Sequence, residues 1–174
     1  NLKNYDDALV YFKEALDVKR GQAKYKAFQK SITSETIDYP RSGQGVAYQH
    51  SLIAELYHAW GLNDMALEQL SAADSLINYA MQSPVLKESI AIKSALGKNH
   101  LLRMEIFSDM DNYAGAHIES KLAVELFKES PILMARHHDA KANIQMKQDS
   151  LYSALEYVDR ALKICELNGL SVFE

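Results

Sequence analysis

Apolar positions along the chain keep returning to one spacing. Tyr5, Ala8, Phe12 and Ala15 stand three, four and three residues apart, which lays them down one stripe of a helix. The ladder reappears as Asn63, Ala66, Leu70, Ala73, then as Tyr113, Ala116, Ser120, Ala123, and finally as Leu151, Ala154, Val158, Ala161. Alanine holds the second and fourth rungs each time. A small residue repeated at helical spacing lets a neighbouring helix come close, because a larger side chain would hold it off.

Turn residues between these stripes predict the elements. A first helix starts near Tyr5, and Ala23, Ala27 and Phe28 extend it past Gly21. The run Tyr39-Pro40-Arg41-Ser42-Gly43-Gln44-Gly45 reads as a break. A second helix runs from Val46 to about Trp60, with Ile53, Ala54, Leu56, Tyr57 and Trp60 on its stripe; Gly61 is its left-handed cap. Asp64 caps a third helix reaching about Met81. Ser83-Pro84 and Ser130-Pro131 match each other, with serine as N-cap and proline as first helical residue, where its missing N–H costs nothing. Pro84 opens a long segment through Gly97 to about Met110. Helices then follow from Tyr113 to Lys128, from Pro131 to about Lys147, and from Leu151 to about Leu167, closed by Asn168-Gly169. Strand signals are weak: β-branched residues do not cluster and two-residue hairpin turns are absent. The expectation is an all-α chain of about seven helices, with neighbours joined by short turns and therefore antiparallel.

The ladders extend backwards into a larger unit. Ala54 and Tyr57, Met104 and Phe107, and Ala142 and Gln145 hold equivalent places before Ala66, Ala116 and Ala154. Each unit is a first helix with such a pair, a turn, and a second helix with the alanine ladder. This resembles the tetratricopeptide repeat (TPR), a helix–turn–helix unit of about 34 residues. The nearest matches are Asn4-Tyr5-Asp6-Asp7-Ala8 with Tyr11-Phe12 and Ala15-Leu16, and Asp149-Ser150-Leu151-Tyr152-Ser153-Ala154 with Ala161-Leu162. The array is degenerate: Ala8, Ala66, Ala116 and Ala154 are 58, 50 and 38 residues apart, all longer than the family period. Gln145 replaces an aromatic, Met104 a small residue and Ser120 a large one. The resemblance implies a helical-repeat solenoid forming a single TPR-like domain over 1–174, as a half unit at 1–39 and whole units at 46–82, 84–129 and 131–167. Degenerate arrays of this kind are also similar to the repeat portions of large bacterial signalling regulators. Asn at position 1 and the apolar Leu170, Val172 and Phe173 fit a fragment of a longer protein.

Composition narrows the function. With 48% hydrophobic residues the chain is globular rather than disordered. A net charge of −4 argues against a general nucleic-acid surface, which needs a basic excess. No apolar run approaches the ~18 residues of a membrane span. One cysteine, Cys165, excludes an internal disulfide, and its place four residues after Ala161 makes it a small packing group rather than a nucleophile.

The resemblance implies that the first helices line a concave groove. Its candidates are Tyr48, Leu52, Glu55 and His58; Lys98, Leu102, Glu105 and Asp109; and Arg136, Asp139, Asn143 and Lys147. Mixed charge with apolar patches suits a peptide or a partner helix. The family's carboxylate-gripping subset is not expected, because Asp139 stands where a lysine is wanted, one turn before Asn143. The expected function is a protein- or peptide-binding scaffold, with no catalysis, no metal and no cofactor. Self-association through exposed ends is the main alternative, and a helical-bundle metal enzyme the lesser one. That enzyme would use Glu55-Leu56-Tyr57-His58, a Glu-x-x-His motif with no second copy in the chain. His137 and His138 point about 100° apart on a helix, so they do not readily share one ion; one ring touches the core edge and the other is solvated. His50, His100 and His117 read as isolated. Gly43-Gln44-Gly45 lacks the context of a phosphate loop. The basic run Lys19, Arg20, Lys24, Lys26, Lys30 reads as a solvated face; the functional alternatives are an acidic partner or a membrane surface, and the interleaved Tyr25 and Phe28 would suit nucleic acid.

Overall fold

The computed structural model describes residues 10, 11, 13, 14 and 39–170. The first ladder, the basic run Lys19–Lys30 and the apolar residues Val172 and Phe173 lie outside the described residues. Among the described residues there is helix and no strand. The elements in order are α1 (Tyr39–Ala59), α2 (Asn63–Ala80), α3 (Pro84–Lys87), α4 (Ile90–Asp109), α5 (Tyr113–Phe127), α6 (Pro131–Lys147) and α7 (Leu151–Asn168). No described helix is long and apolar enough to cross a membrane. The chain divides into two compact units, with the boundary between Ile92 and Lys93.

In the unit before that boundary, α1 and α2 pack as an antiparallel pair. Their contact face holds Val46, Ala47, Ile53, Ala54 and Tyr57 from α1 and Ala66, Leu70, Ala73, Ile77 and Ala80 from α2, all buried. Ala66, Leu70 and Ala73 are wholly inaccessible, so the second ladder is the packing stripe that its spacing predicts. His50 is buried with them and its Nδ1 lies 2.8 Å from Gln69 Oε1, which satisfies an imidazole expected to be isolated.

In the unit after the boundary, α4, α5, α6 and α7 follow one another as antiparallel neighbours. One core joins Leu101 and Met104 of α4, Ala116, Ala123 and Phe127 of α5, and Leu133, Ala140 and Ile144 of α6. The third ladder is again the packing stripe. The fourth is only partly so: Ala154 is the one buried residue of α7, while Ala161 is half-buried and Val158 exposed. Cys165, expected to pack as a small buried group, is half-buried.

The same turn joins α1 to α2, α4 to α5 and α6 to α7. Gly61, Asp111 and Asp149 adopt left-handed φ values of 73°, 57° and 54°. At each turn the following N–H reaches back across the helix end: Leu62 to Tyr57 O at 2.8 Å, Asn112 to Phe107 O at 2.8 Å, and Ser150 to Gln145 O at 2.9 Å. The left-handed residue donates to His58 O, Ser108 O and Met146 O respectively. This paired pattern satisfies carbonyls that a helix end otherwise leaves open.

Several boundaries differ from the sequence expectation. The expected break at Tyr39–Gly45 is helical and forms the first turns of α1; Pro40 sits at the start, where its geometry suits a helix. The expected continuous helix from Pro84 to Met110 is interrupted at Glu88 and Ser89, whereas Gly97 stays helical inside α4. The cause at Gly97 is packing: a Cβ there would stand 2.6 Å from Phe127 Cδ1. Ser83 and Ser130 occupy the N-cap positions with proline following, but neither side chain makes the capping bond. Asp64 lies in the first turn of α2 rather than at its cap, which is Leu62. Asn112 caps α5, accepting from Gly115 N–H at 3.0 Å.

Candidate functional site

On α4, successive residues turn by about 100°, so Lys98, Leu102, Glu105 and Asp109 share one face. Lys98 and Asp109 are exposed; Leu102 and Glu105 are half-buried. On α6, Arg136, Asp139, Asn143 and Lys147 share a face and are all exposed. The two faces meet at their C-terminal ends, where Lys147 Nζ donates to Asp109 Oδ1 at 2.5 Å. The first helices of this unit thus present strips of both charges that meet at Lys147 and Asp109, with Leu102 half-buried in the α4 strip. In the unit before the boundary, α1 carries Tyr48 and Glu55 exposed and Leu52 and His58 half-buried.

Across α4, the side away from this face is polar but internally satisfied. His100 Nδ1 lies 2.6 Å from Glu119 Oε2, and Arg103 Nη1 lies 4.0 Å from the same oxygen. A single carboxylate on α5 therefore holds two basic groups of α4, and His100 is not isolated.

A second cluster was not visible in the sequence. It lies where α6 meets α5 and α7. The buried His137 shares a hydrogen bond of 2.8 Å between its Nε2 and Ser120 Oγ, while its buried Nδ1 has no hydrogen-bond partner. Lys141, also buried, donates from Nζ to His117 Nδ1 at 3.0 Å. That ammonium stands 5.6 Å from the centre of the Tyr157 ring, and the Arg160 guanidinium stands 5.3 Å from the same ring. His138 stacks on Tyr157 at 5.9 Å. His137 and His138 are edge-to-face at 5.4 Å. His137 is thus the buried ring of the pair, and His138 is half-buried rather than solvated.

The electrostatics of this cluster all run one way. Burial, then His138 and Lys141, push the His137 pKa down to about 4. Burial followed by Lys141 and Lys121 lowers His117; burial followed by Arg160 lowers His138. Burial followed by Lys121 lowers Lys141. Desolvation disfavours each charged form and the neighbouring cations add to it.

Lys141 and the groove candidates of α6 occupy opposite sides of the helix. At about 100° per residue, Arg136, Asp139, Asn143 and Lys147 fall roughly 160–240° around from Lys141. Spacing along α6 was enough to find the exposed strip. The cluster needed three helices brought together, and no spacing within one of them marks it. On α7, Leu151, Leu155, Val158 and Leu162 form a further stripe that is 64%, 61%, 37% and 40% exposed. Among the described residues, no three His, Cys, Asp or Glu side chains gather to hold a metal. Compared with family models, with curated proteins and with solved structures, the chain matches none.

Proposed function

We propose that the chain is a TPR-like binding module whose first helices receive a peptide or a segment of a partner protein. The observation that carries this is the paired strip of α4 and α6: exposed Lys98, Arg136, Asp139, Asn143 and Lys147 border half-buried Leu102 and Glu105 on helices already fixed by their shared core. A strip of mixed charge with an apolar centre suits an amphipathic or extended ligand. Because rigid helices carry it, little ordering is needed on the protein's side when a ligand docks. The recurring turn and the buried alanine rungs support the repeat reading, and with it the extension of the same role to Tyr48, Leu52, Glu55 and His58 on α1. No catalytic step and no cofactor belong to this reading.

The test is selection from a random peptide library on the intact chain, followed by binding to Arg136→Ala/Asn143→Ala and to a control pair on α7, Glu156→Ala/Lys163→Ala. Selected peptides are expected to lose at least about tenfold in affinity on the first variant, the loss of one or two good polar contacts, and to keep it on the second. Equal affinity for both variants, or no enrichment, would overturn the proposal.

A second reading is self-association, and the stripe on α7 favours it. Positions 113, 117, 120 and 124 on α5 correspond by their spacing to 151, 155, 158 and 162 on α7. On α5 they are buried or half-buried, with α6 against them; on α7 they are exposed leucines and valine. Light scattering separates the readings: a dimer dissociated by Leu155→Glu supports self-association, and a monomer at all concentrations rejects it.

A further inference from the structure

The cluster between α5, α6 and α7 holds more positive charge than its surroundings neutralise. Lys141 is buried, yet its partners are a neutral imidazole nitrogen and the face of Tyr157. Among the described residues no carboxylate pairs with it. Lys121, one helical turn beyond His117 on the same strip of α5, is exposed, makes no ion pair there, and lies near enough to act on both His117 and Lys141. Arg160 approaches from α7 across Tyr157; its nearest acid is Glu156, 3.7 Å away and largely exposed. Buried cations in folded proteins are ordinarily paired, because desolvation without compensation is costly. An ammonium has three protons, and His117 Nδ1 takes one of them.

We infer that Lys141, His117 and Lys121, with Arg160 at the edge, form a binding site for a phosphate-type oxyanion, either inorganic phosphate or a phosphomonoester. Such a ligand accepts the remaining Lys141 protons and offsets the repulsion between Lys141 and Lys121. With Nδ1 accepting from Lys141, the neutral His117 ring carries its proton on Nε2 and has that N–H left to donate to the ligand. A dianion with several acceptor oxygens matches a group of several cations better than a single carboxylate does. The site lies on the side of α6 opposite Arg136 and Asn143, so it stands independently of the proposed peptide-binding strip.

The experiment titrates the intact chain with sodium phosphate, with O-phosphoserine, and with sodium chloride at matched ionic strength, near neutral pH. Melting temperature and the imidazole C–H resonances are followed in parallel. The expected result is a saturable rise in Tm and a saturable shift of the His117 resonance with one or both phosphate ligands, and neither with chloride. Response to inorganic phosphate marks a free-ion site, and response to O-phosphoserine alone marks a phosphomonoester site. Lys121→Gln, at an exposed position, is expected to weaken binding by about tenfold, one charge-assisted contact, and Lys141→Met to abolish it. If Lys141→Met does not fold, the Lys121→Gln result decides. Phosphate effects equal to those of chloride, or undiminished in Lys121→Gln, would overturn the assignment.

Discussion

Burial of His137 makes the stability of the α4–α7 unit sensitive to mild acid. In the folded chain the ring titrates at about 4, against 6.5 when exposed. The unfolded chain therefore binds a proton across this interval that the folded chain refuses. Stability is complete above the unfolded value, falls as pH drops below it, and stops falling once pH is under about 4. Over the whole interval the loss is roughly 3 kcal/mol at ~1.4 kcal/mol per pH unit, and about 2 kcal/mol of it falls between about pH 7 and pH 5. His117 and His138 are lowered in the same direction and add to the same loss. Carboxylates also titrate on the acid side, so the measurement is a comparison. Urea unfolding of the natural chain and of His137→Gln is followed at several pH values from about 7 to 5. Glutamine keeps an amide for Ser120 Oγ and carries no titrating proton. The variant starts less stable at neutral pH, but its decline toward pH 5 is shallower by about 2 kcal/mol. Parallel declines in the two proteins would refute the reasoning, as would an imidazole resonance for His137 titrating near 6.5.

Four other substitutions follow from local geometry. Gly97→Ala gains about 1 kcal/mol of helix propensity, but its Cβ falls 2.6 Å from Phe127 Cδ1. The outcome by urea unfolding is a net loss of up to about 2 kcal/mol, since overpacking of this kind costs about 1–3. Asp149→Gly removes a non-glycine residue from a left-handed position and raises stability by up to about 1 kcal/mol; thermal unfolding checks it. The equivalent change at Asp111 gains less, because Asp111 Oδ1 accepts a 2.9 Å hydrogen bond from the Tyr113 hydroxyl. Asn112→Ala loses the bond to Gly115 N–H and costs about 1 kcal/mol, seen by circular dichroism as a lower Tm.

What spacing can reveal depends on whether the cause is local. Ala66, Leu70 and Ala73, or Ala116, Ser120 and Ala123, are buried because each helix has one inward side, and three-and-four spacing marks that side directly. Gly61 was legible as a left-handed cap because glycine adopts that conformation without steric cost. Asp111 and Asp149 take the same conformation without glycine, and their turns were legible only as turns. The helical start of α1 was hidden because Gly43 and Gly45 have low intrinsic propensity, and propensity is a weak prior that context overrides. Gly97 shows the opposite case: a residue poor in helices is retained where Phe127 needs its missing side chain. The exposed strips of α4 and α6 could be read from a helical wheel. Lys141, His117 and Tyr157 could not, since 24 residues separate the ends of the Lys141–His117 bond. That bond exists only once α6 has docked on α5. The exposed stripe of Leu151, Leu155, Val158 and Leu162 on α7 has the same origin: spacing marks a stripe as apolar and is silent on whether another helix covers it.

Close packing of paired helices through small residues underlies both the fold and the strip on which binding is proposed. The most direct measurement is the unfolding free energy of Ala123→Leu set against Ala114→Leu. Ala123 is fully buried between helices, while Ala114 lies exposed on the same helix. The packing predicts a loss of about 1–3 kcal/mol for Ala123→Leu and a change within about 0.5 kcal/mol for Ala114→Leu. Equal effects at the two positions, or a gain at Ala123, would contradict it.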